Sequence, residues 1–302
     1  MFHAKLMKRD TKMKNITQEM IELIRLTSVD LSPDVEFAIK KETEKEVIGS
    51  GARDTMETIQ DNIRLARENS TPICQDTGTL LFYIHYPEGW SPRLLRQQVV
   101  ETVVEATKLN YLRPNTVNAI TGKNTGNNLG DEFHPTTHFE EVLGDELTID
   151  LILKGGGCEN VGCQYRLPEA RVGASRDLDG VRKVVLDAVH QAQGKGCAPG
   201  ILGVAIGGDR GSSYLASKEV FLRKMDEENS IPELADLEAR ITEEANQLGI
   251  GPMGFGGKTT LLKTMIKGMH RIPACYFVSV SYMCWAYRRR RMIIKNDHVI
   301  YQ

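Results

Sequence analysis

The sequence of 302 residues is long enough for one large domain or two modest ones, and its 41% hydrophobic and 26% charged residues are typical of a globular protein. Because 38 Lys and Arg residues stand against 40 Asp and Glu residues, the formal net charge is −2, and no overall positive field exists to bind nucleic acid. No apolar run approaches the ~18–20 residues that span a bilayer, so we expect a soluble chain with no nucleic-acid or membrane partner.

The N-terminal segment, residues 1–14, is basic but lacks the apolar stretch of a signal peptide. Asp10 also argues against a transit peptide, so we expect a frayed extension, with a targeting segment as the alternative. The six cysteines are too sparse for a disulfide scaffold. A cytoplasmic location is therefore expected, where reduced thiols are available for metal binding or catalysis.

Apolar residues at helical spacing predict that the first seventy residues are mainly helical. Asn15 is the expected N-cap of the first helix, and the Ser32-Pro33 pair supplies an N-cap and a proline at N1 for the second. A third apolar stripe covers residues 56–66. Further helices are predicted to begin at residue 92 and to cover residues 179–193 and 232–248.

Strands are predicted between these helices, where short apolar runs are rich in β-branched and aromatic residues, at 79–86, 201–206 and 275–282. Residues 147–153 alternate between apolar and other side chains, as a half-buried strand does. The mixture indicates an α+β fold in which helices pack on short mixed β-sheets. We expect a single large domain at 15–291, with division into two lobes left open, followed by a C-terminal tail at 292–302.

Three segments rich in glycine, residues 155–157, 207–211 and 251–257, follow predicted strands or precede a predicted helix. Glycine lets a ligand approach the backbone, whose N–H groups can then hold an anion, although each segment is equally consistent with a tight turn. The last segment leads into Gly257-Lys258, as a phosphate-binding loop would. That motif requires a glycine five residues before the Gly-Lys pair, where this chain has Pro252. We therefore exclude a site for a nucleoside triphosphate.

Three cysteines lie at predicted turns next to strands: Cys74, Cys197 and Cys284. Three such thiolates could bind three irons of a cubane cluster and leave the fourth iron open to substrate. They are 123 and 87 residues apart and belong to no C-x-x-C motif, so three unrelated structural cysteines remain the alternative.

The other three cysteines are not expected to bind metal. Cys158 and Cys163 are five residues apart, but no histidine or second cysteine pair completes a zinc site. Cys275 is expected to pack in an apolar strand as a small hydrophobic residue.

Five motifs, in chain order, carry a family resemblance: ICQDTGT, KGGGCEN, GKGCAPGILGVAIGGDRGS, LGIGPMGFGGKTT and CWAYRR. They resemble the iron–sulfur class I fumarate hydratases and the α subunits of the related L-tartrate dehydratases, over residues 15–289. The resemblance covers the α subunit or N-terminal domain alone. It therefore implies a partner, a β subunit or C-terminal domain supplied by another chain, in a dimer of αβ units.

The resemblance also implies a site. Cys74, Cys197 and Cys284 would ligate a [4Fe–4S] cluster that acts as a Lewis acid in the reversible hydration of fumarate to malate. Asp76 would be a catalytic acid or base, or would tune a hydroxyl group of the partner. The substrate, a small dicarboxylate, would be bound by the following residues: Gln75, Arg113, His270 and the backbone of Gly156 and Gly157.

Several alternatives remain at this point. Cys158 stands where the fumarate hydratases often have serine and is closer to the tartrate enzymes, whereas IGGDRGS is closer to the fumarate enzymes, so an L-tartrate dehydratase α subunit is the second candidate. A non-catalytic chain that binds a cluster is the third. Taken singly, Asp76 could be a turn residue capping Gly78, Arg113 a surface cation and His270 a helix-end histidine. The run Arg288–Arg291 predicts either a solvated face or a contact with the partner.

Overall fold

The structure, a computed structural model, describes residues 14–131, 134–296 and 298–302, so the predicted extension lies almost wholly outside the described residues. It confirms a mixed α and β fold with two small mixed sheets. Two compact units are present, the first formed by residues up to Ser32 with Leu65–Lys154 and Arg288–Gln302, the second by Pro33–Arg64 and Gly155–Tyr287. Within the described ranges, no helix is long and apolar enough to cross a membrane.

The helices are α1 (Thr17–Val29), α2 (Pro33–Thr43), α3 (Gly51–Asn69), α4 (Pro92–Lys108), α5 (Gly156–Asn160), α6 (Leu178–Ala192), α7 (Arg210–Glu219) and α8 (Pro232–Gln247). The strands are β1 (Thr79–Pro87), β2 (Thr136–Val142), β3 (Leu147–Lys154), β4 (Cys163–Arg166), β5 (Gly200–Ile206), β6 (Leu261–Gly268), β7 (Phe277–Met283), β8 (Arg288–Lys295) and β9 (His298–Tyr301). Pro33 opens α2 as predicted, and the Ser91 side chain accepts from Leu94 N at the start of α4. The prediction for Asn15 was wrong, because the N-cap of α1 is Ile16 and the Asn15 side chain instead accepts from Thr17 N at 2.9 Å.

The first unit contains a five-stranded sheet in the order β2-β1-β3-β8-β9, in which β1 and β2 are parallel and the other neighbours antiparallel. Alternate residues of β1, namely Leu80, Phe82, Ile84 and Tyr86, pack into one core with α1 and α4. The prediction of a half-buried β3 was wrong, because seven of its eight residues are buried. This strand lies in the middle of the sheet, between β1 and β8, and both of its faces are buried, with Leu151 in the core and Asp150 bound by Arg291.

The second unit contains a four-stranded sheet in the order β4-β7-β5-β6, with β5 and β6 parallel. Side chains along β7 alternate between the two faces of this sheet. Val278, Val280 and Tyr282 join the core that α6 and α8 complete. Ser279 and Ser281 point the other way and form 2.8 Å hydroxyl–hydroxyl hydrogen bonds with two serines of α7, Ser213 and Ser217.

Two local predictions are corrected by the second unit. The glycine segment 251–257 precedes a strand, β6, and not a helix. The spacing of the buried residues Leu261 and Met265 fits either a helix or a strand. Pairing with β5 makes this segment a strand. Cys275 does not lie in a strand, because β7 begins two residues later, and its side chain is only partly buried.

The arginine run is not the uniformly solvated face that the sequence allowed, because it lies in a strand and its first residue is buried. Arg288–Arg291 begin β8, the neighbour of β3 in the first unit. Arg288 is 1% exposed. Arg290 pairs with Asp30 at 2.8 Å, and Arg291 binds buried Asp150 on β3 through two bonds of 2.7 and 2.9 Å. The C-terminal boundary expected at 291 falls inside β8, and most of the residues from 292 to 302 lie in β8 or β9.

Candidate functional site

The first unit presents the Cys74 motif on a loop between α3 and β1. Cys74 and Asp76 are partly buried and Gln75 is exposed. An Asp76 carboxylate oxygen accepts a 3.0 Å hydrogen bond from Gly78 N, so the turn-capping role considered from the sequence is present. Gly78 has φ +82°, and a Cβ there would lie 2.7 Å from the Lys154 carbonyl. The loop is therefore held tightly against the end of β3, and its shape requires glycine.

Arg113 lies beside this loop, although 36 residues separate it from Thr77. Its backbone N–H donates to the Thr77 hydroxyl oxygen at 3.1 Å, and its carbonyl accepts from the buried side chain of Asn128 at 2.9 Å. The Arg113 side chain itself is exposed. The structure thus brings Arg113 to the loop of Gln75 and Asp76, and the motifs did not reveal that Thr77 and Asn128 hold it there.

Buried Arg288 also reaches this loop. Its Nη1 donates a 2.8 Å hydrogen bond to the main-chain carbonyl of Asp76. The contact fixes the backbone beside Cys74 and leaves the Asp76 carboxylate to other partners. Sequence reasoning treated Arg288 as one of four equivalent arginines and so missed it.

In the second unit, Cys197 and Cys284 lie at the same end of the sheet. Cys197 precedes β5 and Cys284 follows β7, and Ile201 is paired with Met283 in this antiparallel pair. Cys197 adopts the left-handed conformation at φ +57°, which is uncommon for a residue with a side chain. Its carbonyl accepts from Trp285 N at 3.3 Å, so a hydrogen bond joins the two cysteine turns.

Tyr282 lies beneath these turns, and its ring explains two of the glycines in GKGCAPG. A Cβ at Gly196 would lie 2.5 Å from the ring and one at Gly200 would lie 2.2 Å from it. Burial raises the pKa of Tyr282, and the nearby thiols of three cysteines, Cys158, Cys284 and Cys197, raise it further. Three thiols of this unit are therefore within electrostatic range of one phenol.

Cys158 is the member of this group that the sequence analysis set aside. It lies in the short helix α5, is 3% exposed, and its Sγ is 3.8 Å from the Gly196 carbonyl oxygen. Gly157 is also close, since a Cβ there would lie 3.8 Å from the Lys195 carbonyl. The KGGGC motif thus contacts the Cys197 turn. Cys163 instead lies next to Tyr165, and burial raises the pKa of its thiol.

The loop before β6 supports the Cys197 turn from another side. Met253 N donates to the Ala198 carbonyl at 2.8 Å, and a Cβ at Gly194 would lie 2.7 Å from Gly254 Cα. The end of this loop resembles a phosphate-binding loop in sequence, but its backbone N–H groups bind a carboxylate of the same chain. Buried Glu46 accepts from Lys258 N at 2.9 and 3.0 Å and from Thr259 N at 2.8 Å.

His270 lies away from these cysteines. It follows β6, and its carbonyl accepts from Gly208 N beyond the carboxyl end of β5. Cys197 lies before the amino end of the same strand. At about 3.3 Å per residue, seven strand residues place the two ends about 20 Å apart. Within this unit the structure therefore does not bring His270 to Cys197 and Cys284, and no helix ends at His270 either.

The donor chemistry fits the cluster that the resemblance implies. None of the six cysteines, all within the described ranges, forms a disulfide. Among the described residues, no group of three or more His, Cys, Asp or Glu side chains is arranged around a single metal ion. A cubane needs no such group, because its ligands bind separate irons. Thiols at turns with a left-handed residue and close glycines suit a bulky sulfur-ligated group.

Comparisons with known proteins agree with the motifs. The fumarate hydratase (fumerase) family profile matches residues 17–293. A Geobacillus stearothermophilus protein, provisionally named as a class I fumarate hydratase, is 48% identical over 92% of this chain and 54% of its own length. A Methanocaldococcus jannaschii protein, provisionally named as an L(+)-tartrate dehydratase α subunit, is 32% identical over 93% of this chain and 98% of its own. The Escherichia coli K12 L(+)-tartrate dehydratase α subunit is 29% identical over 93% and 91%. The chain thus spans about half the length of the Geobacillus relative.

Proposed function

This chain belongs to the fumarate hydratase family, as its motifs predicted, and we propose that it is the α-type part of a hydro-lyase that hydrates fumarate reversibly to malate. The proposed cofactor is a [4Fe–4S] cluster with Cys74, Cys197 and Cys284 as ligands. The observation that supports this most is the hydrogen-bonded pair of turns carrying Cys197 and Cys284, in motifs of an iron–sulfur family. A reducing compartment such as the cytoplasm suits three thiol ligands.

The proposed reaction removes a weakly acidic proton next to a carboxylate and expels hydroxide, or runs in the opposite direction. When bound, the cluster would supply a Lewis-acidic iron that makes the hydroxyl a better leaving group. Arg113 would bind a substrate carboxylate through two parallel N–H bonds, and exposed Gln75 would bind it beside the loop. The backbone N–H groups of Gly156 and Gly157 would stabilise the charge that develops on the substrate.

Asp76 is the proposed group that moves the proton, directly or through a hydroxyl of the partner. Three contacts hold its loop: the Gly78 N–H bond to the carboxylate, the Arg288 bond to its carbonyl, and the Thr77 bond to Arg113. A carboxylate fixed in this way suits proton transfer, because little reorientation is needed during the reaction. His270 remains a proposed substrate contact on the resemblance alone.

We also propose a partner, because the chain corresponds to about half of the Geobacillus relative. The second part would be a β subunit or C-terminal domain on another chain, in a dimer of αβ units. An L-tartrate dehydratase α subunit is the second candidate function. The observation that favours it is that the chain matches 91–98% of the length of two α subunits named for that activity.

Anaerobic reconstitution tests this proposal. We expect the wild-type chain to hold about four irons and to absorb near ~400 nm as sulfur-ligated clusters do. Cys197→Ser and Cys284→Ser should abolish that absorbance. Cys275→Ser, which changes a partly buried cysteine outside the three ligand motifs, is the matched control and should keep it. A full cluster in Cys197→Ser would contradict the ligand assignment.

The substrate is then decided by assaying the reconstituted protein with and without its partner chain. Fumarate, L-tartrate and mesaconate are offered at equal concentration. Turnover of fumarate well above that of L-tartrate supports the first candidate, and the reverse supports the second. No turnover of any of them by a complex that carries its cluster would contradict hydro-lyase activity.

A further inference from the structure

Arg288 differs from Arg290 and Arg291 of β8 in how its charge is accommodated. Arg290 and Arg291 each bind a carboxylate, of Asp30 and Asp150 respectively. Arg288 is 1% exposed, yet among the residues that the structure describes it has no carboxylate partner. Its Nη1 binds a neutral carbonyl, that of Asp76, and its Nε has no hydrogen-bond partner within the described part of the chain.

A cation in this position is unfavourable for the chain by itself. Removing a charge from water costs several kcal/mol unless an opposite charge and further hydrogen bonds replace the lost hydration. A long apolar side chain would fill the same space without that penalty. The arrangement therefore indicates that a negative charge is present near Arg288 when the protein is in its working state.

The position of Arg288 suggests what carries that charge. The bonded carbonyl belongs to Asp76, two residues from Cys74, a ligand under the proposed function. A [4Fe–4S] core of charge 2+ bound by three thiolates carries a net charge of about −1. We propose that Arg288 is a positioning residue that fixes the Cys74 loop through the Asp76 carbonyl and balances the negative charge of the cluster bound there. This inference rests on the proposed function.

The inference predicts a small effect without the cluster and a large one with it. Without the cluster, Arg288→Met removes an unpaired buried cation but also the donor to the Asp76 carbonyl, so the melting temperature of the full chain should fall less than in Arg290→Met. With the cluster, the same substitution removes the balancing charge, so the cluster should be lost to a chelator at least about 10-fold faster than from wild type. Arg288→Lys retains the charge and should stay within about 3-fold of wild type.

Arg290→Met is the matched control, because it makes the same change on the same strand at a side chain that is 11% exposed. It leaves Asp30 without this partner, so it should lower the melting temperature with or without the cluster while leaving the rate of cluster loss within about 3-fold of wild type.

The measurements are the melting temperature of the cluster-free full chain, iron per chain after anaerobic reconstitution, and the rate of chelation. If Arg288→Met lowers the cluster-free melting temperature as Arg290→Met does, Arg288 is a structural cation and the inference is overturned. Equal cluster retention in wild type and Arg288→Met would also overturn it. Absence of a cluster from the wild-type chain would contradict the proposed function, and this inference with it.

Discussion

Removing the Glu46 carboxylate should destabilise the second unit more than any ordinary surface change. Glu46 is 4% exposed and lies between α2 and α3, where it binds the end of the glycine-rich loop. Both of its oxygens accept from Lys258 N, and one also accepts from Thr259 N, at 2.8–3.0 Å. Glu46→Ala leaves these two N–H groups without their acceptor.

The expected size follows from those two donors. A buried donor that loses a charged acceptor costs about 1–3 kcal/mol, and Lys258 N is only partly buried, so we expect about 2–4 kcal/mol in total. Glu46→Gln keeps an oxygen for both donors but turns an amide N–H₂ group towards Lys258 N. It should therefore cost about 1–2 kcal/mol. Glu44→Ala, an exposed neighbour in the sequence, is the control and should stay within about 0.5 kcal/mol.

Calorimetry measures the stability series, and amide hydrogen exchange locates its cause. The amides of Lys258 and Thr259 should exchange at least about 10-fold faster in Glu46→Ala, and at the wild-type rate in Glu44→Ala. If Glu46→Ala costs less than about 0.5 kcal/mol and these amides remain protected, the carboxylate does not hold the loop. Binding of the Lys258 and Thr259 N–H groups by Glu46 would then be refuted as a source of stability.

Two further predictions concern a carboxylate and a glycine. The Arg171 guanidinium, with the Tyr165 hydroxyl, lowers the pKa of Asp187 to about 2, so its stabilising effect is complete above about pH 4 and is lost as the pH falls towards 2. Asp187→Asn should thus cost about 1–2 kcal/mol in urea unfolding at pH 7 and less at pH 2.5; equal costs at both pH values would refute this. Gly78→Ala should lower the free energy of unfolding by at least about 1 kcal/mol more than Gly89→Ala. Both glycines have positive φ, but only at Gly78 would a Cβ contact another part of the backbone, that of Lys154. Equal losses in urea unfolding would exclude this close approach.

The sequence predicted the elements whose local signals and tertiary packing agree. Pro33 and Ser91 mark helix starts that depend on nearby residues alone. The run rich in β-branched and aromatic residues at 275–282 predicted a strand, and the structure places its valines and serines on opposite faces of the sheet. Such patterns are informative because the residue type that favours the local backbone conformation is also the type that suits the burial of that position.

Sequence analysis missed features that are determined by contacts between residues distant in the chain. The run Arg288–Arg291 carries four charges, and its place in the sheet depends on pairing with β3 and on the carboxylates of Asp30 and Asp150, all distant in sequence. Similarly, Cys158 appeared unrelated to Cys197 because 38 residues separate Cys158 from Gly196, the residue whose carbonyl it contacts. Spacing along the chain cannot reveal contacts that depend on how α5 and the Cys197 turn pack.

The three glycine segments show how structure narrows a prediction that sequence leaves broad. Each could have held an anionic ligand through backbone N–H groups. In 207–211, Asp209 accepts from Gly211 N and Ser212 N as the cap of α7, and directly after 251–257 the N–H groups of Lys258 and Thr259 are bound by Glu46. Carboxylates of the chain therefore bind backbone N–H groups at or directly after two of the three segments. Residues 155–157 lie next to the Cys197 turn, and this contact distinguishes them from 207–211, which follow the other end of β5.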